Sequence, residues 1–190
     1  MTQQARMPRS KLASRRLERH AQEPCETGAV TVSIRTARPA DVPALVQLRL
    51  ANGEQHAGLD PAGHRIPEPA SVRRYFEQLL SAPPDDIVVL VAEVEGNVAG
   101  LAELVIRSAP PPDHQILVPR LLADVHTVVL ECFRGRGIGS ALITAAEEHA
   151  AQRGVVGLIA PILAANTEAV DFYSRAGFGP HGVILRKDLS

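Results

Sequence analysis

The sequence predicts an α/β domain with a mixed, mostly antiparallel central sheet and helices on both faces. Three observations carry that expectation. Two apolar runs, Ile87 to Val94 and Val98 to Ile106, flank the turn Glu95-Gly96-Asn97, as in a β-hairpin. A third apolar run, Leu121 to Leu130, leads through a glycine-rich loop into a helical pattern from Gly137 to Gln152. The chain has 190 residues, enough for one α/β domain with a real core and short for two.

Residues 1–28 stand apart, rich in Arg, Gln, Ser and Glu and poor in branched apolar residues. They cannot bury enough surface to offset their ordering entropy and read as a disordered tail. Composition favours this over a basic arm built from Arg9, Lys11, Arg15, Arg16 and Arg19. The folded domain is expected over residues 29–190. Val30 to Arg35 alternates apolar and polar, which is strand period. Asp41 is placed to cap a helix with Pro43 in its first turn, and Val42, Leu45, Val46, Leu48 and Leu50 supply its apolar side. Asn52 to Pro69 has no period and reads as a loop. Ser71 then caps a short helix with Val72, Phe76 and Leu79 along one stripe.

The Ile87 to Val94 run is apolar almost throughout, as in a strand covered on both faces. Ala109 to Asp113 must be loop. In the helix from Gly137 to Gln152, one face holds Ile138, Ala141, Leu142, Ala145 and His149, and Gly154 supplies a left-handed cap. Val155 to Leu163 reads as a strand, Asn166-Thr167 opens a last helix through Arg175, and Gly182 to Lys187 reads as a final strand.

Lysines plus arginines number 20 against 21 acidic residues, and this balance argues against bulk binding to nucleic acid or membrane. Cys25 and Cys132 make no disulfide framework, so a reducing, cytoplasmic setting fits best. No apolar run approaches the ~20 residues that span a bilayer. The Arg-rich N-terminus is not a secretory signal. His56, His64, His114 and His181 show no metal spacing, so no metal is expected.

The strongest chemical signal is Arg134-Gly135-Arg136-Gly137-Ile138-Gly139-Ser140, between a strand end and a helix start. Glycines let the backbone approach a ligand. A helix N-terminus offers unpaired N–H groups and a positive dipole end, together an anion site suited to pyrophosphate. Arg134 and Arg136 add charged donors at the rim. A Walker A loop would end in Gly-Lys-Ser/Thr, which is absent, and the glycines at 135, 137 and 139 are evenly spaced, unlike a dinucleotide fingerprint.

Arg134, Gly137 and Gly139 meet the pattern R-x-x-G-x-G, and Val128 to Leu142 resembles the acetyl-CoA motif of the GNAT (Gcn5-related N-acetyltransferase) superfamily. Asn166 to Phe178, with Asn166, Ala169, Tyr173 and Gly177-Phe178, resembles that family's later signature. The resemblance covers about residues 30–187, with its specific motifs in the second half. It implies the GNAT fold, with about six to seven strands, and an N-acetyltransferase that uses acetyl-CoA as cosubstrate. A small-molecule or peptide amine would attack directly in a ternary complex. Homodimerisation is a family habit.

Residue by residue, the resemblance implies that Val128, Val129 and Leu130 lie on a splayed strand. Its exposed backbone would pair with the pantetheine arm as an added strand would. The amides from Gly135 to Ser140 would hold pyrophosphate. Asn166 would contact the pantetheine region or serve as a helix N-cap. Tyr173 would protonate the departing thiolate, and Arg175 would reach the 3′-phosphate or remain a solvated charge. Val129 N–H would suit the oxyanion.

This chain departs from the family in the general base. Many members place a Glu on the strand before the loop, where Val125 stands here. Asp124 and His126 flank it and point to the opposite face from Val125 and Thr127. His126 is a candidate because imidazole titrates near neutrality. Asp124 and Glu103 are further candidates, and an ordered water is another. Loss of the base would leave a non-catalytic acyl-CoA-binding module. Cys132 reads as structural. The loops 52–69 and 108–120 should line the acceptor pocket, where Asp60, Glu68 and Asp113 could attract a cationic amine.

Overall fold

The structure, a computed structural model, describes residues 31–107, 116, 118–185 and 187. The N-terminal tail, Cys25, and Asp113 and His114 of the proline-rich loop lie outside the described residues.

Five strands form one sheet in the order β1-β2-β3-β4-β5: β1 Val32–Thr36, β2 Ile87–Val94, β3 Asn97–Ile106, β4 Leu122–Val129 and β5 Gly157–Ile159. The first four pair antiparallel and β5 runs parallel to β4, so the sheet is mixed and mostly antiparallel as expected. Helices α1 (Val42–Leu59) and α2 (Pro69–Ser81) cover one face; α3 (Ile138–Ala151) and α4 (Thr167–Arg175) cover the other.

Side-chain alternation along the strands explains the two cores. Val89, Val91 and Leu101 pack with Leu45, Leu48, Val72 and Phe76 beneath α1 and α2. Leu90, Ala102, Leu104 and Val125 pack with Ile138, Leu142, Ile143 and Ala146 of α3. This is why β2 reads as continuously apolar: both its faces are buried. Phe76 has no exposed surface. Phe76→Ala is expected to lower stability by about 3–5 kcal/mol in chemical denaturation, without changing the chemistry of the β4 edge.

Several sequence expectations require correction. Six to seven strands were expected, and the described residues hold five. Residues 52–59 belong to α1 rather than to a loop. Gly53 explains part of this: a β-carbon there would lie 2.6 Å from Pro67 Cδ, so the helix carries a glycine where the following segment crosses it. Helix α2 starts at Pro69, with Glu68 rather than Ser71 at the N-cap position and no side-chain cap bond. The strand expected from Val155 to Leu163 is reduced to Gly157–Ile159. The described part of Gly182 to Lys187 forms no strand, and Val183, Ile184 and Leu185 stand exposed. On α3 the buried face includes Ile143, Ala146 and Ala150, whereas Ala141, Ala145 and His149 sit at its margin.

Asp41 occupies the N-cap position of α1, but its side chain makes no cap bond to that helix. Its carboxylate accepts from the Arg38 backbone N–H at 2.7 Å and from Arg35 at 2.7 and 2.9 Å. Arg35 also pairs with Glu93 at 2.8 Å, tying β1, β2 and the entry to α1 together. The Arg35 guanidinium, with help from Arg38 N–H, holds the buried Asp41 carboxyl below its usual range. A depressed carboxyl stabilises the fold above its unfolded pKa, and that stability is lost as pH falls through the folded value. Asp41→Asn is therefore expected to cost about 1–3 kcal/mol at neutral pH and to flatten the acid limb of a denaturation profile.

Candidate active site at the splayed edge of β4

The pairing of β4 with β5 covers only Leu122–Asp124 against Gly157–Ile159. Beyond Asp124, β4 keeps its partner β3 on one side, and among the described residues no strand pairs with its other edge. Backbone polar groups alternate between the two edges of a strand. Leu130 N donates to Ala99 O at 3.0 Å, on the β3 side, and Val128 shares that direction. Thr127 and Val129 therefore face the splay. Thr127 N donates to the Tyr173 hydroxyl at 3.1 Å, and Val129 O accepts from Arg134 Nε at 3.3 Å. Of the three residues expected to offer backbone to a ligand, Val129 faces the open edge, while Val128 and Leu130 are turned toward β3. Thr127, which sequence reading did not single out, shares Val129's edge; strand alternation was the signal that pairs them.

A 3₁₀ turn, Glu131–Phe133, carries β4 into the loop. Gly135 and Gly137 have φ of 75° and 76°, the left-handed region where a side chain is strained. Gly137 is the N-cap of α3 and brings no side chain to the helix end. The first intrahelical bond is Ala141 N to Gly137 O at 3.0 Å, so the amides of Ile138, Gly139 and Ser140 have no helical acceptor. The first turn contains no acidic residue. Arg134 also donates to Gln55 of α1 at 3.2 Å, and the Arg136 guanidinium lies 5.7 Å from the Phe133 ring centroid. Ile138 buries its side chain in the core, whereas Ser140 is exposed.

Gly139 has a different basis from its neighbours. A β-carbon there would meet Phe172 Cε2 at 2.9 Å and Cζ at 3.0 Å. The glycine therefore lets α4 pack against the first turn of α3, and so helps to set where Tyr173 stands.

Asn166 is buried and caps α4, its Oδ1 accepting from Ala169 N at 3.2 Å. Arg175 is exposed in the last turn of α4. Tyr173 is buried, with the rings of Phe172 and Phe178 edge-on at 5.0 and 5.1 Å. Burial pushes its phenol above the ordinary value of 10, and hydrogen bonding from Thr127 offsets part of that rise. The phenol oxygen accepts the Thr127 N–H, which leaves the phenol's own proton for another acceptor.

The other candidates lie on the opposite face of the sheet, Asp124 and His126 on β4 and Glu103 on β3. His126 stands opposite Glu103 in the β3–β4 register, and Asp124 opposite Val105. Asp124 is held by Arg107 at 2.7 and 3.3 Å. Glu103 is buried and accepts from the Tyr75 hydroxyl at 2.6 Å and from Arg49. Burial and this bond push the Tyr75 phenol up to about 12. His126 is exposed and makes no hydrogen bond or ion pair among the described residues. Tyr173 and His126 thus approach the splayed edge from opposite faces of the sheet, on either side of Thr127. Neither Asp60 nor His64 extends this site: they pair with one another at 3.3 Å across the end of α1. Cys132 is partly buried in the 3₁₀ turn.

The sequence model of the acetyltransferase (GNAT) family matches residues 55–178, more than half of the chain. An uncharacterized N-acetyltransferase of Methanocaldococcus jannaschii is 33% identical over 115 residues, 59% of this chain and 47% of that protein. The chain thus spans about half the length of that relative. Among solved structures, the BH1408 protein of Bacillus halodurans superposes with a TM-score of 0.75 at 20% identity, over 83% of this chain and 99% of that one. An aminoglycoside N-acetyltransferase in complex with CoA gives 0.62 at 20% identity, over 86% and 99%. Glucosamine-6-phosphate N-acetyltransferase from Arabidopsis thaliana gives 0.60 at 20% identity, over 84% and 99%. At such identities these likenesses establish the fold. No helix of the described residues is long and apolar enough to cross a membrane.

Proposed function

The chain belongs to the acetyltransferase (GNAT) family, and from that membership we propose that it transfers an acetyl group from acetyl-CoA to a primary amine by direct attack. One observation carries the reading: an open backbone edge of β4 runs from the Tyr173 hydroxyl at Thr127 to the uncapped N-terminus of α3. That edge fits an elongated ligand with an amide-bearing arm and a diphosphate end.

Acetyl-CoA supplies the reactive thioester. The amides of Ile138, Gly139 and Ser140 hold its pyrophosphate, with those of Gly135 to Gly137 and the Arg134 and Arg136 side chains around it. Val129 offers its N–H and C=O along the open edge, and the N–H serves as donor to the thioester oxygen. Asn166 has committed its Oδ1 to the cap, so its amide N–H is the group it can turn to the pantetheine. Arg175, exposed at the end of α4, can reach an outer phosphate.

His126 receives the proton of the attacking amine. The ion pair of Asp124 and the bonded cluster around Glu103 favour it over those two carboxylates. Tyr173 gives its proton to the departing sulfur, and burial keeps it protonated for that task at neutral pH. The acceptor is a small molecule or a peptide amine, entering from the α1–α2 face where His126 is exposed.

Thiol release with a panel of primary amines tests the reading. The expected result is one thiol released per amine acetylated. His126→Ala should lower kcat roughly 100-fold and leave CoA affinity unchanged. CoA binding without thiol release on any amine would instead describe an acyl-CoA-binding module.

A further inference from the structure

Thr127 carries a polar atom that the chemistry above does not use. Its Oγ1 is buried and has no hydrogen-bond partner among the described residues. A buried hydroxyl left unpaired gives up its hydration with nothing in return. Valine fills nearly the same volume without that cost, and the two neighbours on the same face of β4, Val125 and Val129, are valines. A threonine at this one position calls for a polar partner within its reach.

Geometry identifies the partner. The backbone N–H of the same residue already touches the Tyr173 hydroxyl at 3.1 Å. Oγ1 is separated from that nitrogen by only two carbons, which places it near the phenol oxygen. The Thr127 side chain already works against the rise that burial causes in the phenol, although Oγ1 makes no hydrogen bond of its own among the described residues. Threonine has few χ1 wells, and a rotation between them re-aims Oγ1.

Resting on the acetyl-transfer reading, we propose that the Thr127 hydroxyl is a positioning group for Tyr173, donating to the phenol oxygen as the phenol gives up its proton. In the balanced step, the amine nitrogen bonds the thioester carbon and the carbon–sulfur bond breaks with its electron pair on sulfur. Sulfur takes the Tyr173 proton. The proton lost by the amine passes through His126 and solvent and restores the phenol. In the interval Tyr173 is a buried anion, and burial is the main force against that state. Two donors from one residue, N–H and O–H, then face the negative oxygen. Among the described residues no charged side chain offers an alternative: Asp124 and His126 point to the other face of β4, Asp171 and Arg175 on α4 are exposed, and α3 presents Ile138 and Leu142.

The test uses the full chain with Thr127→Val and Thr127→Ser. Thr127→Val keeps shape and removes the donor. Its kcat should fall roughly tenfold while KM for acetyl-CoA holds. The alkaline limb of kcat should move up by about one pH unit, because losing a donor to the phenolate raises the phenol's pKa. Thr127→Ser should restore both. In a Tyr173→Phe background, Thr127→Val should cost nothing further. A readout without substrate is also available, since the chain has only two tyrosines. In tyrosine-labelled protein, the Tyr173 ring-carbon signal should change in Thr127→Val and not in Thr127→Ser, with Tyr75→Phe fixing the assignment. An unchanged kcat in Thr127→Val, equal losses in Val and Ser, or a loss that multiplies with Tyr173→Phe would each overturn the proposal. Absence of thiol release by the wild-type protein would instead strike the acetyl-transfer reading, and the tyrosine signal would still decide the Thr127–Tyr173 contact.

Discussion

Tyr173→Phe is expected to slow acetyl transfer by about 100-fold or more, with CoA affinity unchanged. The ring stays, so the edge-on contacts with Phe172 and Phe178 survive and α4 keeps its place. Only the hydroxyl is lost, and with it the proton for the departing sulfur. The substitution also strips Thr127 N–H of its acceptor, which should lower stability by about 1–3 kcal/mol. The pH dependence follows from the direction of the shift. A phenol raised above 10 by burial is protonated throughout the neutral range, so the wild-type enzyme should keep this limb of activity to alkaline pH and lose it as the phenol ionises. Tyr173→Phe should abolish that limb. Steady-state kcat against pH for the two proteins checks both statements.

The second large effect is expected at Gly139. Replacing it with valine places a branched side chain where even a β-carbon would lie 2.9 Å from the Phe172 ring. Aromatic rings in a packed core do not yield cheaply, and overpacking costs typically 1–3 kcal/mol. The strain falls on the contact between α3 and α4. Relief requires α4 to withdraw, which carries Tyr173 away from Thr127. Gly139→Val should therefore lose stability and lower kcat at least tenfold, even where CoA still binds at the α3 terminus. Gly139→Ala, with the smaller intrusion, should fall between. Thermal unfolding and kcat, measured together on the two variants, separate this from a direct effect on the ligand.

Local signals made much of the fold legible. The hairpin announced itself through two apolar runs around Glu95-Gly96-Asn97, and α4 through Asn166, which caps it. The glycine loop was readable because helix N-termini bind anions for reasons that need no tertiary information. The rest depended on partners distant in sequence. Asn52 to Leu59 looked like loop because glycine and histidine break the apolar period, but packing against the segment around Pro67 holds the helix. Gly139 looked like a ligand-facing glycine until Phe172 stood beside it. Asp124 and Glu103 were open as bases until Arg107, and Arg49 with Tyr75, were seen to hold them. The β-branched residues near Gly182 have strand propensity, yet propensity forms no strand without a neighbouring edge.

Amides at the start of α3 are proposed to grip a diphosphate. Calorimetric titration of CoA into the wild-type protein and into Gly137→Val tests it most directly. Gly137 has left-handed φ at the helix cap, where a β-branched side chain is strained and would crowd the amides. One CoA per chain bound by the wild type, and affinity lowered at least tenfold in a folded Gly137→Val, is the predicted result. Equal affinity in the two proteins, or no heat of binding in the wild type, would contradict it.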